Sequence, residues 1–335
     1  MPPSRDGGTL TPTPTQETGT VQFVEAGTPA TIEIVGVDGS SWTVSGEDQG
    51  HEGVVLNNGA QGLQEAPRKG IWSQSAFQEG ATYMGNTVEP IDLVLAFQVW
   101  GDEENWADVA AAFRKAWDYE QETTIRVSSE AGSRTIKVRL LEAPDRNSNK
   151  DPRLTQYSLD TYTLRAGWPF WEGDGTVDEF EVSLKTRPPS NMWEEMSEAL
   201  RRLFNLESGI DKYDEGYVTV SNPTDTPLYP QWVATAPGRW AIPDWSFKDD
   251  EDANRAVVCP TLGDGEDLTI DTYPRNEPYV SSLNTNIAGR FGGVLFLNPI
   301  PPRTAPTQVP VRYVGNDPNA KITVILRDKW MGPWN

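Results

Sequence analysis

The sequence predicts a mainly β protein in two parts: an N-terminal β domain of sandwich or barrel type carrying one or two helices, then a C-terminal β-sandwich. Three observations lead there. The 335 residues are enough for two cores, yet only 37% are hydrophobic, and 29 glycines and 27 prolines interrupt the chain, which is a loop-rich profile. Short alternating runs recur between turn clusters. Helical period appears in only two segments.

Residues 1–20 are Thr, Pro, Gly and charge with Leu10 almost alone as an apolar residue. Burial there cannot offset the entropy of ordering, so the segment reads as a flexible arm, either disordered throughout or ordered along a neighbouring molecule. From Val21 the pattern turns strand-like. "TIEIVGVDGSSWTVSG" alternates around Asp38-Gly39, a hairpin dipeptide. "GVVLNNG" follows, then a long Gly- and Gln-rich loop over 59–90, then the apolar strand "IDLVLAFQVW".

The period then changes. In "ENWADVAAAFRKAWDYE", Trp106, Val109, Ala110, Phe113 and Trp117 recur at helical spacing, with Asn105 as cap and Arg114 and Lys115 at the C-terminal end. This predicts a helix near 105–118. "TTIRVSS" and "RTIKVRLLEAP" flank a four-residue connection, Glu130 to Ser133, as a hairpin. "QYSLDTYTLRA" and "DEFEVSLKT" are further strand candidates around "GWPFWEGDG". "NMWEEMSEALRRLFN" predicts a second helix over 191–205, where Asn191 and Glu194 fit a capping box.

The charged, Gly-containing "LESGIDKYDEG" places a domain joint near residue 206. The first domain then spans 21–206 and the second 207–335. No helix signal follows the joint. "GYVTVSN", "YPQWVATA", "RWAIPDWSF", "RAVVCPTL", "EDLTIDTY", "GGVLFLNP", "VPVRYVG" and "KITVILRDKW" recur at spacings of roughly 10 to 15 residues, the pattern of a β-sandwich. The corner "SNPTDTPLYPQW" opens that domain. Pro227 and Pro230 cannot donate to a ladder, so the strand they lead into is an edge or starts after them.

Composition narrows the function. With 28 Lys+Arg against 49 Asp+Glu the net charge is −21, which opposes tight binding of nucleic acid or of an anionic membrane surface. The single cysteine, Cys259, allows no intrachain disulfide and fits synthesis in a reducing cytoplasm. No apolar h-region opens the sequence, and Ile91–Trp100 is too short to span a bilayer.

Signals for catalysis are thin. His51, the only histidine, sits in a polar loop, and no G-x-S-x-G elbow accompanies it. Cys259 has apolar neighbours and no flanking cation to activate it. Zinc lacks ligands. "EGDGTVDEFE" and "KDDEDAN" gather carboxylates without EF-hand spacing and read as solvated loops. No phosphate-binding glycine pattern appears. The sequence therefore points to no catalytic residue, metal or cofactor.

Two binding readings remain. Trp232, Trp240 and Trp245 are candidates for a flat sugar-stacking platform, set against the usual fate of a strand tryptophan in a core or interface. In the 123–141 hairpin, Ile125, Val127, Ile136, Val138 and Leu140 share an inward parity, so Arg126, Lys137 and Arg139 point outward. That basic face is either solvated or a candidate subunit interface against the acidic face of an identical neighbour.

The chain resembles siphophage distal tail proteins. The residues that carry the likeness are a "N-x-x-D-x-P-x-x-P" corner (Asn222, Asp225, Pro227, Pro230), the strand "GEDLTIDTYPR", and the aromatic-Pro-aromatic run "DTYTLRAGWPFW". "YPQWV", "APG-x-W" and "RDKWMGPW" liken it further to minor tail proteins of phages infecting mycobacteria and related actinobacteria. The likeness departs from the family in the N-terminal arm and the 59–90 loop.

The resemblance implies a galectin-like C-terminal domain and a structural role without catalytic residues. It further implies a hexameric ring at the lower end of the virion tail that joins the tail tube to the tail-tip hub. DNA passes through the lumen of such a ring. Tail tube protein, hub protein, tape measure protein and other minor tail proteins are the implied partners. The alternative is a carbohydrate-binding module of the tail tip that adsorbs the particle to host glycans.

Overall fold

The computed structural model describes residues 29–101, 105–147, 150–183 and 212–334. The N-terminal arm, the helix expected over 191–205 and the joint expected near residue 206 lie outside the described residues.

The first part runs β1 (Thr31–Val35), β2 (Ser41–Ser45), β3 (Val54–Leu56), β4 (Arg68–Ser73), β5 (Thr82–Val88), β6 (Ile91–Trp100), α1 (Trp106–Lys115), β7 (Thr123–Ser129), β8 (Gly132–Leu140), β9 (Asp145–Asn147), α2 (Pro152–Thr155), β10 (Tyr157–Ala166) and β11 (Trp171–Glu172). Seven of these strands form one antiparallel sheet in the order β2-β1-β7-β8-β10-β6-β3. Its two outer strands, β2 and β3, come close to each other, so the sheet is nearly a closed barrel. Alternation sets the inside: Ile91, Leu93, Leu95, Phe97 and Val99 of β6 are all buried, with exposed or half-buried residues between them.

Helix α1 fills that interior. The Asn105 side chain accepts from the Ala107 amide at 3.1 Å, and Arg114 and Lys115 occupy the last turn, so both predicted ends hold. The Phe113 ring lies 5.0 Å from Phe97, 5.2 Å from Trp42 and 5.5 Å from Tyr162, each edge to face. Such pairs stabilise beyond the area they bury.

Two expectations change here. Ser129 pairs with Gly132, so the β7–β8 connection is two residues, with Gly132 at φ +117 where a side chain would be strained. The 59–90 segment is not simply a loop, because β4 and β5 pair as a separate two-stranded sheet.

The second part continues with β12 (Thr176–Glu181), β13 (Lys212–Asn222), β14 (Gln231–Ala234), β15 (Arg239–Pro243), β16 (Ala256–Val258), β17 (Leu268–Asp271), β18 (Tyr279–Ser281), α3 (Ile287–Arg290), β19 (Thr304–Gly315), β20 (Lys321–Leu326) and β21 (Lys329–Trp330). One sheet is β12-β20-β14-β17-β18 and the other β13-β19-β15-β16. Their inner faces share a core that includes Val220, Trp232, Ile242, Val311, Tyr313 and Val324. This is a sandwich of five and four strands. Strand β14 starts after Pro230, as the missing donors require, and then pairs on both sides with β17 and β20.

"GGVLFLNP" is no strand. Gly292 and Gly293 take positive φ, and Val294, Leu295 and Leu297 stay exposed. One helical turn, α3, also appears where no helix was expected.

The two cores are laced together. Strand β12 precedes the expected joint, yet it pairs along its whole length with β20 of the sandwich. Strand β21 pairs back with β11 of the first part. Beyond it, Met331 is buried in the first core, and the Trp334 indole N–H donates to the Leu63 carbonyl at 2.9 Å. Arg134 lies 3.8 Å over the Trp330 ring and donates to the Gly332 carbonyl at 2.8 Å.

Candidate functional site

The β4–β5 hairpin is the surface least explained by the protein's own packing. Every residue of β4 is exposed, as are Tyr83 and Met84 of β5 and the whole ring of Phe77 at the turn. The base is anchored, with Ala66 buried, Val88 packed on the first core and the Glu89 amide donating to Pro67 at 2.9 Å. Above it the hairpin orders itself. Trp72 meets Tyr83 edge to face at 5.1 Å, and Asn86 donates to the Tyr83 hydroxyl at 2.7 Å. A two-stranded ribbon with no third layer is marginal in water. Trp72 at 61% and Met84 at 65% exposure make a large apolar patch of the kind that marks an interaction surface. Arg68 and Lys69 are exposed on the same strand.

The basic strand face has the expected parity. Ile125, Val127, Ile136, Val138 and Leu140 are buried, whereas Arg126, Lys137 and Arg139 are exposed. Two of these cations are already engaged within the chain. Arg126 pairs with Glu33 at 2.6 Å, and Arg139 pairs with Glu122 at 3.1 Å. Lys137 forms no ion pair among the described residues, and it stands with Glu122 and Glu172 along the lining of a cleft.

A platform of Trp232, Trp240 and Trp245 is not what the structure presents. Trp232 is 1% exposed and Trp240 0%, because both point between the two sheets of the sandwich. The Trp240 indole N–H donates to the Thr235 carbonyl at 2.9 Å. Trp245 is half-buried against the same core beside Phe247. No flat face is left for a sugar at these rings.

The motif residues of the sandwich are structural. Asn222 is fully buried; its amide donates to the carbonyls of Thr226, Ile300 and Pro301 at 2.8–3.0 Å, and its oxygen accepts from Thr224. Asp225 accepts from the Met331 amide at 3.2 Å, so the corner holds the returning C-terminal segment. Glu266 of the "GEDLTID" strand is buried, and both its oxygens accept from Arg290 at 2.8 Å. That guanidinium, with the Thr285 hydroxyl, holds its pKa down at about 2.

Burial pushes the Cys259 thiol up, away from nucleophilic character. His51 lies exposed in a turn. In "KDDEDAN", Asp250 accepts from Ser246 and from the Asp252 amide, so its carboxylate closes the loop. Among the described residues no three His, Cys, Asp or Glu side chains converge as a metal site.

This barrel-plus-sandwich architecture is similar to that of a solved phage protein. It superposes on the Dit protein (gp 19.1) of phage SPP1 with a TM-score of 0.53, covering 90% of this chain and 98% of that one at 10% identity. That protein is described as a paradigm of the hub adsorption apparatus of phages infecting Gram-positive hosts. In sequence the chain is a relative of the minor tail protein Gp27 of Mycobacterium phage D29, 29% identical over 334 residues that cover 92% of this chain and 98% of the relative. The minor tail protein Gp27 of Mycobacterium phage L5 is 27% identical over 344 residues, with the same coverage. No protein-family model matches the chain. The resemblance read from the sequence motifs is thereby borne out over nearly the whole length.

Sequence reasoning missed the hairpin. Its signal was present in "KGIWS" and "ATYMG", where large apolar residues interrupt an otherwise polar stretch.

Proposed function

We propose that the chain is a structural protein of the phage tail that assembles into a ring and acts as the adaptor between tail tube and tail-tip hub. The tail role is supported by minor tail proteins as relatives over 92% of the chain and by a distal tail fold. It calls for no catalytic group, in keeping with structural relatives. A galectin-like sandwich projecting from the ring, DNA threading the lumen, and contacts with tube, hub and tape measure proteins belong to the same reading. Synthesis in the host cytoplasm precedes assembly.

The observation that carries the ring is the β4–β5 hairpin. Its apolar side chains are ordered by one another and stay exposed among the described residues, and burying each at a seam contributes about 1.5–3 kcal/mol. The occupant is a second copy of this chain. Arg68 and Lys69 approach a protein of net charge −21, so like copies attract at this element although they repel elsewhere. A patch repeated head to tail closes a ring. Lys137, which forms no ion pair among the described residues, adds a cation to the outer face, whereas Arg126 and Arg139 have their charges matched at home.

The test is the double variant Trp72→Glu/Met84→Glu, followed by electron microscopy and light scattering. Wild type forms closed rings, and the variant stays a single chain with an unchanged circular dichroism spectrum, since neither residue belongs to the core. A variant that still forms rings of wild-type mass would overturn the hairpin as the seam.

A further inference from the structure

A cleft of about 390 Å³ opens where the β11–β21 pair meets the sandwich. Four half-buried rings line it: Trp168 and Phe170 before β11, Tyr229 from the proline corner, and Tyr273 after β17. Tyr273 meets Trp168 at 5.5 Å and Tyr229 at 5.2 Å, both edge to face. The Lys329 Nζ sits among them, 4.4 Å from the Phe170 centroid and 5.6–5.7 Å from the other three. Among the described residues it makes no ion pair, and burial pushes its pKa down to about 8. The rest of the lining is polar. Asp271 accepts from Gln231 at 3.1 Å and from Asn276 at 2.8 Å, and Arg327 reaches the Gln231 oxygen at 3.4 Å.

The chemistry of this lining selects its ligand by exclusion. A cation has no place, because the chain's own ammonium already fills the aromatic cage. A phosphate-like anion meets four carboxylates, Glu122, Glu172, Asp271 and Asp328, which outnumber the cations Lys137, Arg327 and Lys329 in the same lining. A wholly apolar ligand leaves the Lys329 ammonium without an acceptor. What satisfies both halves is a neutral ring with an apolar face and many hydroxyls, stacking its C–H face on an aromatic ring while its oxygens accept from Lys329. The volume lies within the usual range for ligand pockets.

We propose that this cleft is a saccharide-binding site, built jointly by the two cores. It stands independently of ring formation, since every residue that lines it belongs to one chain. It also differs in place from the tryptophan platform that the sequence suggested.

Saturation-transfer NMR on the full chain tests this, with a panel of hexoses, pentoses, N-acetylhexosamines and their disaccharides at about 10 mM, enough to saturate a site of about 1 mM Kd. At least one saccharide transfers saturation in the wild type, and Tyr229→Ala weakens it at least about tenfold. Because Tyr229→Ala also loosens packing, Asn276→Ala at the exposed rim serves as second variant, with a smaller loss at unchanged melting temperature. Leu154→Ala, at an exposed side chain of α2 outside the cleft lining, leaves the signal intact. No transfer from any member of the panel, or transfer equal in wild type and both cleft variants, would overturn the site.

Discussion

Glu266 shows how much of the sandwich rests on single polar contacts. Its carboxylate is buried and bound by Arg290 and Thr285, so its folded pKa lies near 2, below the ordinary 4.5. A depressed carboxylate stabilises fully above its unfolded value and loses that contribution as pH falls. The pair is therefore intact above about pH 4.5, and its stabilisation drains away toward pH 2. Glu266→Gln costs about 1.5–3 kcal/mol near neutral pH and flattens the acid limb of the stability curve, read from urea midpoints between pH 2 and 7. An unchanged acid limb would place the acid sensitivity elsewhere. At this scale the sequence was informative about burial: apolar flanks place Cys259 inside and a polar loop leaves His51 exposed. The orientation of Trp232 and Trp240 was not legible, since a tryptophan on a strand suits a core and a platform equally until the facing sheet is known.

Among the described elements, the C-terminal segment ties the two cores to each other. β21 and the residues after it reach the first core through Met331, Arg134 and Leu63, and hold the proline corner through Asp225. Met331→Ala removes a buried side chain from the first core and costs about 2–5 kcal/mol, measured as a lower denaturant midpoint of the full chain. A shift of less than about 0.5 kcal/mol would mean that the segment merely lies on the surface. Neither this return nor the pairing of β12 with β20 was visible from periodicity, because alternation reports which face is buried and not which strand lies beside it. Helix α1 and the β1–β2 hairpin were legible for the opposite reason. Their signals, a cap with a 3.6-residue stripe and an Asp-Gly turn, are local. The β4–β5 hairpin escaped notice because both its faces are exposed, which leaves no alternation to read.

For the whole molecule, charge and apolar surface act in opposite directions. A subunit of net charge −21 repels its copies over a screening length of about 10 Å at 0.1 M salt, whereas the hairpin offers a chiefly apolar seam whose two cations, Arg68 and Lys69, offset only a small part of that net repulsion. Assembly through the hairpin therefore strengthens as salt rises from about 0.05 to 0.5 M, since screening removes the repulsion first. Assembly through Arg126, Lys137 and Arg139 would weaken over the same range. The mainly β class was readable from turn spacing and composition, but the near-closure of the first sheet depends on contacts between β2 and β3 that no local pattern announces.

The most direct test of the ring is the mass of the purified full chain by light scattering, across protein concentration and at both salt limits. The account predicts a closed species of about six chains that grows in population with salt and never extends beyond that fixed size. A mass of 37.1 kDa, that of the single chain, at every concentration and salt would contradict it.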